Sequence, residues 1–133
     1  MDTELKIIGY ARSDFKNRSE TPKQGCEGGI EAVLEIDEAY LEAMDGLKEG
    51  SEIILLTWMH AADRSYLKVH PRGDETRPKR GVFSTRSPDR PNPVGLHPVT
   101  ITGIDGNKIR VHPLEAIDGT PLIDIKNAYS PKA

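Results

Sequence analysis

A cationic, proline-rich stretch has the clearest chemical potential in this sequence. It reads RGVFSTRSPDRPNPVGL from Arg80 to Leu96, and it carries Arg80, Arg86 and Arg90 among Pro88, Pro91 and Pro93. Proline fixes φ and removes a backbone donor. Because a stiffened loop loses little entropy on binding, a guanidinium held there could grip a carboxylate or phosphate through two hydrogen bonds. The alternative is a structural crossover whose arginines cap carbonyl groups.

Charge is distributed unevenly along the sequence. The net charge is −3, yet the segment from Arg64 to Arg90 holds eight Arg or Lys residues against three acidic ones. The segment from Glu27 to Glu52 is the reverse, with nine acidic residues and Lys48 as its single basic residue. A basic segment within an acidic protein can create a positive face that attracts an anion. The alternative is that both segments are solvated surface.

Two further segments are candidates for chemistry. EAIDGTPLIDIK places Glu115, Asp118 and Asp124 near a Gly-Thr-Pro turn and near Lys126. Carboxylates in such a setting can accept protons, although Asp118 with the next glycine can also simply form a turn. PKQG, beginning at Pro22, lies in a long polar loop of the kind that is either functional or unstructured.

Several functional classes lack their sequence signals. There is no G-x-G-x-x-G after a strand, no P-loop and no G-x-S-x-G elbow. The four histidines are dispersed and Cys26 is the single cysteine, so we expect neither a metal site nor a disulfide. That cysteine usage fits a reducing compartment. The first residues, MDTELKIIGY, do not resemble a signal peptide or a membrane span, so a cytoplasmic location is expected.

The pattern of apolar residues indicates one domain of short strands with a single short helix, arranged as an all-β barrel or sandwich. Asp37 is the predicted N-cap of the helix, which runs to Leu47 with Tyr40, Leu41, Met44 and Leu47 on one side. An Asp-Gly pair at Asp105 predicts a hairpin. The predicted strands are Leu5–Ala11, Ile30–Ile36, Ser51–Met59, Tyr66–Val69, Gly81–Thr85, Val94–Ile104, Lys108–Val111 and Leu122–Ile125.

These segments together resemble one family. RGVFSTRSPDRPNPVGL is similar to the signature of the TrmO/TsaA-like tRNA methyltransferases, and IGYARSDF, PKQG, LLTWMH and DGTPLIDIK occur in the order of that family. The resemblance covers nearly the whole chain. It implies a mainly all-β fold, a small single-sheet β-barrel with one short helix and long loops, as a single domain over residues 1–133. It also implies a homodimer that uses S-adenosylmethionine to methylate the exocyclic amine of a threonylcarbamoyl-modified adenosine beside the anticodon of tRNA.

The resemblance assigns roles to residues by motif. Lysine at position 23 replaces the arginine of the family pattern, and the two are not equivalent at a bidentate site. No metal is implied. Expected catalytic residues are Asp124 first and Asp118 second as proton acceptors, with Lys126 beside them; expected substrate contacts are Arg80, Arg90 and Asn92; expected cofactor contacts are Pro22, Lys23, Gln24, His60, Ala61, Arg86, Leu96, Ala116, Ile117, Asp118 and Gly119.

Two other functions remain open at the level of sequence. One is a methyltransferase of similar fold that acts on a small molecule or on another nucleoside. The other is a non-catalytic module that binds S-adenosylmethionine as a sensor.

Overall fold

Six antiparallel strands close into a barrel in the computed structural model, which describes residues 1–23 and 28–128. The barrel strands are β1 Gly9–Arg12, β2 Ile30–Ile36, β3 Glu52–Trp58, β6 Val94–Asp105, β7 Lys108–Leu114 and β8 Pro121–Asn127. Around the barrel they follow the order β1-β2-β7-β6-β3-β8. A separate two-stranded sheet pairs β4, Lys68–Val69, with β5, Arg80–Gly81. The predicted β-barrel is confirmed.

Alternation of side chains builds the core inside the barrel. β2 buries Ala32, Leu34 and Ile36, while β3 buries Ile53 and Leu55, each at the two-residue spacing of a strand with one face inward. The other barrel strands add further apolar residues to the same cluster: Ala11, Val99, Ile101, Ile109, Val111, Leu114 and Leu122. The strand interiors therefore read as half-buried, as the sequence pattern predicts.

The predicted helix is a 3₁₀ helix over Glu38–Met44. Asp37 caps it as expected, because its carboxylate accepts a hydrogen bond from the backbone N–H of Ala39 at 3.0 Å. Tyr40 and Met44 pack against the core, but Leu41 is exposed, contrary to the prediction. A 3₁₀ helix turns faster than an α-helix, so the predicted apolar side does not stay on one face. Shorter 3₁₀ turns occupy Arg18–Glu20, Pro71–Gly73 and Val82–Ser84.

Three predicted strands are markedly shorter in the structure, and one of them, Tyr66–Val69, is reduced to Lys68–Val69. The ladder of β1 begins at Gly9 rather than Leu5, although the N–H of Ile8 still donates to the carbonyl of Leu122 at 2.9 Å. Of the predicted strand Gly81–Thr85, only Gly81 pairs with another strand; the next residues form a 3₁₀ turn. Arg90 holds that turn through a hydrogen bond to the carbonyl of Val82, and this bond outweighs the strand propensity of the β-branched Val82 and Thr85.

The two ends of the barrel have different connections. At one end β1, β3 and β7 finish while β2, β6 and β8 begin, and three segments connect them: residues 13–29, 59–93 and 115–120. We call this the loop end. At the opposite end, the hairpin between β6 and β7 is closed by only two residues, 106–107, as the Asp-Gly pair predicts.

The wall between β6 and β7 opens toward the loop end. Their ladder has its last pair at Thr100 and His112. Closer to the loop end, β6 pairs with β3 alone, and Leu114 of β7 pairs with β2. Between this pair and the loop end lie Pro98 on β6 and Pro113 on β7, and neither has an N–H to donate. We call this gap in the ladder the seam.

Candidate functional site

The predicted cofactor residues lie at the loop end of the barrel. Pro22 and Lys23 belong to the first connection, while His60, Ala61 and Arg86 belong to the second. The third connection holds residues 116–119, and Leu96 lies on β6 near its start. Gln24 falls outside the described residues. The closure of the barrel thus brings to one end segments that are far apart in the sequence.

Side-chain contacts join the first connection to the second. The guanidinium of Arg18 donates two hydrogen bonds to the carboxylate of Asp89, at 3.0 and 3.2 Å. Asp89 also accepts from the backbone N–H of Asp63 at 2.9 Å. In addition, the Nζ of Lys23 lies 3.7 Å from the position that a Cβ on Gly73 would occupy. Asp89 therefore connects the segments around Arg18 and Asp63 to the proline-rich stretch. The sequence did not reveal this role, because it showed Asp89 only as the one acidic residue of that stretch.

Arg90 holds the proline-rich stretch in shape. Its guanidinium donates to the carbonyls of Val82 at 2.7 Å, Thr85 at 2.6 Å and Ser87 at 2.7 Å. Asn92, a second expected substrate contact, accepts from the guanidinium of Arg64 at 3.3 Å. Arg64 also lies over the indole of Trp58, with its Cζ 5.0 Å from the ring centroid. Arg90 thus caps carbonyl groups, which is the structural role that the sequence left open for the arginines.

Arg86 and Arg80 differ from Arg90. Both are exposed, and no hydrogen bond or ion pair with a described residue engages either guanidinium. Phe83, between them in sequence, is 86% exposed, which is unusual for a large aromatic side chain. The same stretch therefore presents two cations that no described residue engages, on a backbone that Arg90 immobilises.

The turn at residues 116–119 is fastened to β1 and to the segment that follows it. Gly119 donates from its N–H to the carbonyl of Ala11 at 2.7 Å, and Asp118 donates to the carbonyl of Phe15 at 2.7 Å. The carboxylate of Asp118 accepts from the N–H of Ser13 at 3.1 Å. Gly119 has φ of +85°, which favours glycine at this turn position. Asp118 is therefore a turn former, as one of its two sequence interpretations stated.

Asp124 and Lys126 lie on the outer wall of the barrel. A bulge between Leu122 and Asp124 shifts the register against β3, so Asp124 pairs with Leu56 on the outer face although Leu122 points inward. The Asp124 side chain is about half exposed, and its carboxylate lies 3.6 Å from the Nζ of Lys126. Leu96 occupies the same outer row, one strand beyond Leu56. Asp124 thus lies in the same outer row as Leu96, one of the expected cofactor contacts. It does not belong to the turn at residues 116–119, which precedes it in the sequence.

A buried polar cluster of three residues lies inside the barrel near the seam. The imidazole of His97 contacts the carboxylate of Glu115 through Nδ1 at 2.5 Å and the hydroxyl of Thr57 through Nε2 at 2.8 Å. Thr57 and His97 are almost completely buried, and Glu115 is 9% exposed. Gly95 packs directly on the cluster, since a Cβ there would lie 2.5 Å from the Thr57 hydroxyl and 2.7 Å from Nε2. The sequence signal was a histidine and a threonine at inward positions of two apolar strands.

Hydrogen bonds lower the pKa of two carboxyl groups in the second connection. Hydrogen bonds from the hydroxyl and the N–H of Ser65 lower the pKa of Asp63 below its ordinary value. The hydroxyl and N–H of Thr76 lower the pKa of Asp74 in the same way. Both residues are exposed, so these bonds stiffen exposed turns and do not mark a catalytic acid. Among the described residues no group of three or more His, Cys, Asp or Glu side chains is placed to hold a metal, and no helix is long and apolar enough to cross a membrane.

Comparison with known proteins identifies the family. Residues 10–133 match the tRNA-methyltransferase O N-terminal domain. The chain belongs to this family. A crystal structure of TrmO superposes with a TM-score of 0.78 at 32% identity, covering 100% of this chain and 60% of that one. TrmO from Pseudomonas aeruginosa gives a TM-score of 0.76 at 31% identity, covering 99% and 58%. The chain thus spans about three fifths of these solved family members.

Two archaeal relatives match over nearly their full length. A probable S-adenosyl-L-methionine-binding protein of Methanothermobacter thermautotrophicus is 48% identical over 129 residues, which is 97% of this chain and 92% of the relative. An S-adenosyl-L-methionine-binding protein of Archaeoglobus fulgidus is 41% identical over 128 residues, covering 96% and 90%. The family resemblance seen in the sequence is confirmed.

Proposed function

We propose that this chain is an S-adenosylmethionine-dependent methyltransferase that acts on the exocyclic amine of a threonylcarbamoyl-modified adenosine beside the anticodon of tRNA. The observation that carries the proposal is the placement of the family's motif segments at one end of the barrel, with Arg86 and Arg80 free for an anionic ligand. Residues 1–133 would act as one domain of a cytoplasmic enzyme.

The residues of the loop end fit the proposed cofactor. Arg86 offers a free guanidinium for the carboxylate of the methionine part. Leu96, 44% exposed, offers an apolar surface, and the turn at residues 116–119 offers backbone groups held in fixed positions by β1. When bound, S-adenosylmethionine supplies a methyl group on a sulfonium centre. Lys23 would reach the same region from the first connection, together with Pro22, His60 and Ala61.

Proton transfer needs an accessible acceptor, because an amine that gains a methyl group must lose a proton. Asp118 has its carboxylate engaged by Ser13, with Lys16 Nζ at 3.6 Å, which suits a positioning role. Asp124 is half exposed on the row of Leu96, and the Nζ of Lys126 lies 3.6 Å from its carboxylate. Asp124 is therefore the proposed acceptor, and alignment of the nitrogen with the methyl group would supply the remaining acceleration.

The tRNA would contact the exposed cations of the second connection. Arg80 and Arg86 flank the exposed Phe83, and Lys68 pairs in register with Gly81 beside Arg80. Phosphate contacts of this kind make binding dependent on salt. Arg90 would contribute by holding the backbone in place, since its guanidinium is already bonded to three carbonyls, and Asn92 would lie beside it.

We propose a homodimer formed through the outer face of β3 and β6. Trp58 pairs with Val94 in the ladder, and Leu56 pairs with Leu96, so apolar side chains lie side by side on this wall. Val94 and Leu96 are each 44% exposed. Leu96→Lys should shift the protein to a monomer in light scattering, whereas Ile104→Lys, on the same strand at the opposite end, should leave the dimer intact. A wild-type monomer at all concentrations would refute this assembly.

The test of the function is a comparison of modified nucleosides by mass spectrometry. Purified protein, S-adenosylmethionine and total tRNA carrying the threonylcarbamoyl modification should yield a product heavier by one methyl group. Arg86→Ala should abolish most of this product while remaining folded. Methylation of free nucleosides or small molecules but not tRNA would refute the tRNA substrate and support the small-molecule methyltransferase.

A second candidate is a non-catalytic S-adenosylmethionine-binding module. The archaeal relatives are known as S-adenosyl-L-methionine-binding proteins, names that describe binding and no reaction, which favours this candidate. Calorimetric binding of S-adenosylmethionine without transfer of its labelled methyl group to any RNA would support this candidate against the enzyme.

A further inference from the structure

The buried polar cluster crosses the seam in the barrel wall. His97 lies on the part of β6 that pairs with β3 alone, and Glu115 follows β7 at the point where β7 has left β6. The backbone ladder between these strands ends at Thr100 and His112. The bond between His97 and Glu115 therefore links the two sides of the wall where the main chain does not.

Each residue of this cluster lies close in sequence to an expected cofactor residue. His97 points inward, and its neighbour Leu96 points outward. Glu115 is followed directly by Ala116, the first residue of the turn. Thr57 lies on β3 three residues before His60. Three segments of the candidate site, those with Leu96, His60 and residues 116–119, thus each adjoin one member of the cluster along the chain.

The hydrogen bonds that residues 116–119 themselves make to other segments run to one side only. Their partners are Ala11, Phe15 and Ser13, all of which belong to β1 or follow it. Leu96 and His60 lie across the seam, on β6 and after β3. The far end of the turn continues into β8, which pairs with β3 at Leu122 and Thr57, and the contact of His97 with Glu115 is the described bond that ties the start of the turn to β6.

We propose that Thr57, His97 and Glu115 are positioning residues that hold the turn at residues 116–119 at a fixed distance from β6 and β3, and so preorganise the cofactor site. The proposal rests on the proposed binding of S-adenosylmethionine. When Glu115 is ionised it can only accept, so the imidazole donates from Nδ1. The hydroxyl of Thr57 fixes the ring from the other side at Nε2. No member needs to touch the ligand.

The experiment measures the Kd of S-adenosylmethionine by calorimetry and the exchange of the Asp118 and Gly119 amide protons in the ligand-free protein. Glu115→Ala should weaken binding about 10- to 100-fold, because small displacements of a preorganised site are costly. Glu115→Gln keeps an oxygen acceptor for Nδ1 and should stay within about threefold of wild type. Amide exchange in the turn should accelerate in Glu115→Ala and not in Glu115→Gln.

Thr57 provides a second pair of variants if Glu115→Ala does not fold. Thr57→Val has nearly the same volume without the hydroxyl and should weaken binding about fivefold, the value of one ordinary hydrogen bond. Thr57→Ser keeps the hydroxyl and should bind as wild type. The matched control is Val99→Ala, a buried residue on β6, the strand of His97, but outside the cluster; it should lower Tm and leave both Kd and exchange in the turn unchanged.

The results separate two kinds of failure. Folded Glu115→Ala or Thr57→Val with wild-type Kd and wild-type amide exchange would overturn the positioning role. If the wild-type protein does not bind S-adenosylmethionine, the proposed function fails, and amide exchange in the turn still decides whether the cluster positions it. Loss of affinity in Val99→Ala equal to that in Glu115→Ala would also overturn the proposal, since general destabilisation would then explain both.

Discussion

Arg90→Ala should damage the fold, and Arg86→Ala should damage ligand binding. Arg90 donates three hydrogen bonds of 2.6–2.7 Å to carbonyls of its own segment, and its side chain is half-buried. A hydrogen bond to a charged group contributes about 1.5–3 kcal/mol. Because water can reach part of this segment and reoccupy some carbonyls, we expect a total loss of about 2–3 kcal/mol rather than three full bonds.

The assay is thermal unfolding followed by circular dichroism. With an unfolding entropy of about 2.1 cal/mol/K per residue, a loss of 2–3 kcal/mol in a 133-residue chain lowers Tm by about 7–11 °C. Arg86→Ala is the control, because no described residue bonds to its guanidinium; its Tm should change little. Arg90→Lys should restore little, since an ammonium cannot reach three carbonyls as a planar fork does. Equal Tm values for Arg90→Ala and Arg86→Ala would refute this reasoning.

Three further predictions follow from single contacts. Asp124→Asn should lower kcat for tRNA methylation with the Kd of S-adenosylmethionine nearly unchanged, whereas Asp118→Asn should raise the KM for S-adenosylmethionine. Steady-state kinetics distinguish these two effects. Normal turnover by Asp124→Asn would rule out Asp124 as the proton acceptor. Gly95→Ala should lower Tm and weaken S-adenosylmethionine binding in calorimetry, because its Cβ would collide with the buried polar cluster; wild-type values for both would show that the cluster can yield. Thr76→Val should raise the pKa of Asp74 toward its ordinary value in an NMR titration, and an unchanged titration would contradict the assigned cause. A lowered pKa stabilises the fold above the ordinary range of Asp and loses that contribution as the pH falls through the folded value, so the variant should be the less stable protein at neutral pH and should approach wild type in acid.

Local patterns predicted the strands well where one face of the sheet decides them. The predicted strand Ile30–Ile36 matches β2 at both ends, and β3 lies within one residue of the predicted Ser51–Met59. In both, inward residues alternate with outward ones, so burial and propensity agree. The predicted strand at Gly81–Thr85 was wrong beyond its first residue because Arg90, eight residues after Val82, holds the carbonyls that a strand would have offered to a neighbour.

The candidate site was predictable in its segments and not in its internal contacts. Motifs predicted segments that the fold brings to one end of the barrel, but the two-residue period gives no warning of the bulge that turns Asp124 to the outer wall. The buried polar cluster depends on closure of the barrel, which brings together residues 57, 97 and 115. Arg90 shows the limit in another way, since the sequence allowed both a ligand contact and a carbonyl cap, and only the positions of the carbonyls show that it is engaged as a cap.

The self-contained bonding of Arg90 has a consequence for how this loop can change over time. All three of its acceptors lie between residues 82 and 87, so Arg90 sets the conformation of residues 82–87 by bonds that stay within the stretch. Asp89 differs, because it binds Arg18 and the N–H of Asp63 outside the stretch. Inserted into an unrelated antiparallel barrel, residues 80–93 should therefore keep the turn that Arg90 holds and present Arg86 on it, whereas the carboxylate of Asp89 needs new partners from the recipient.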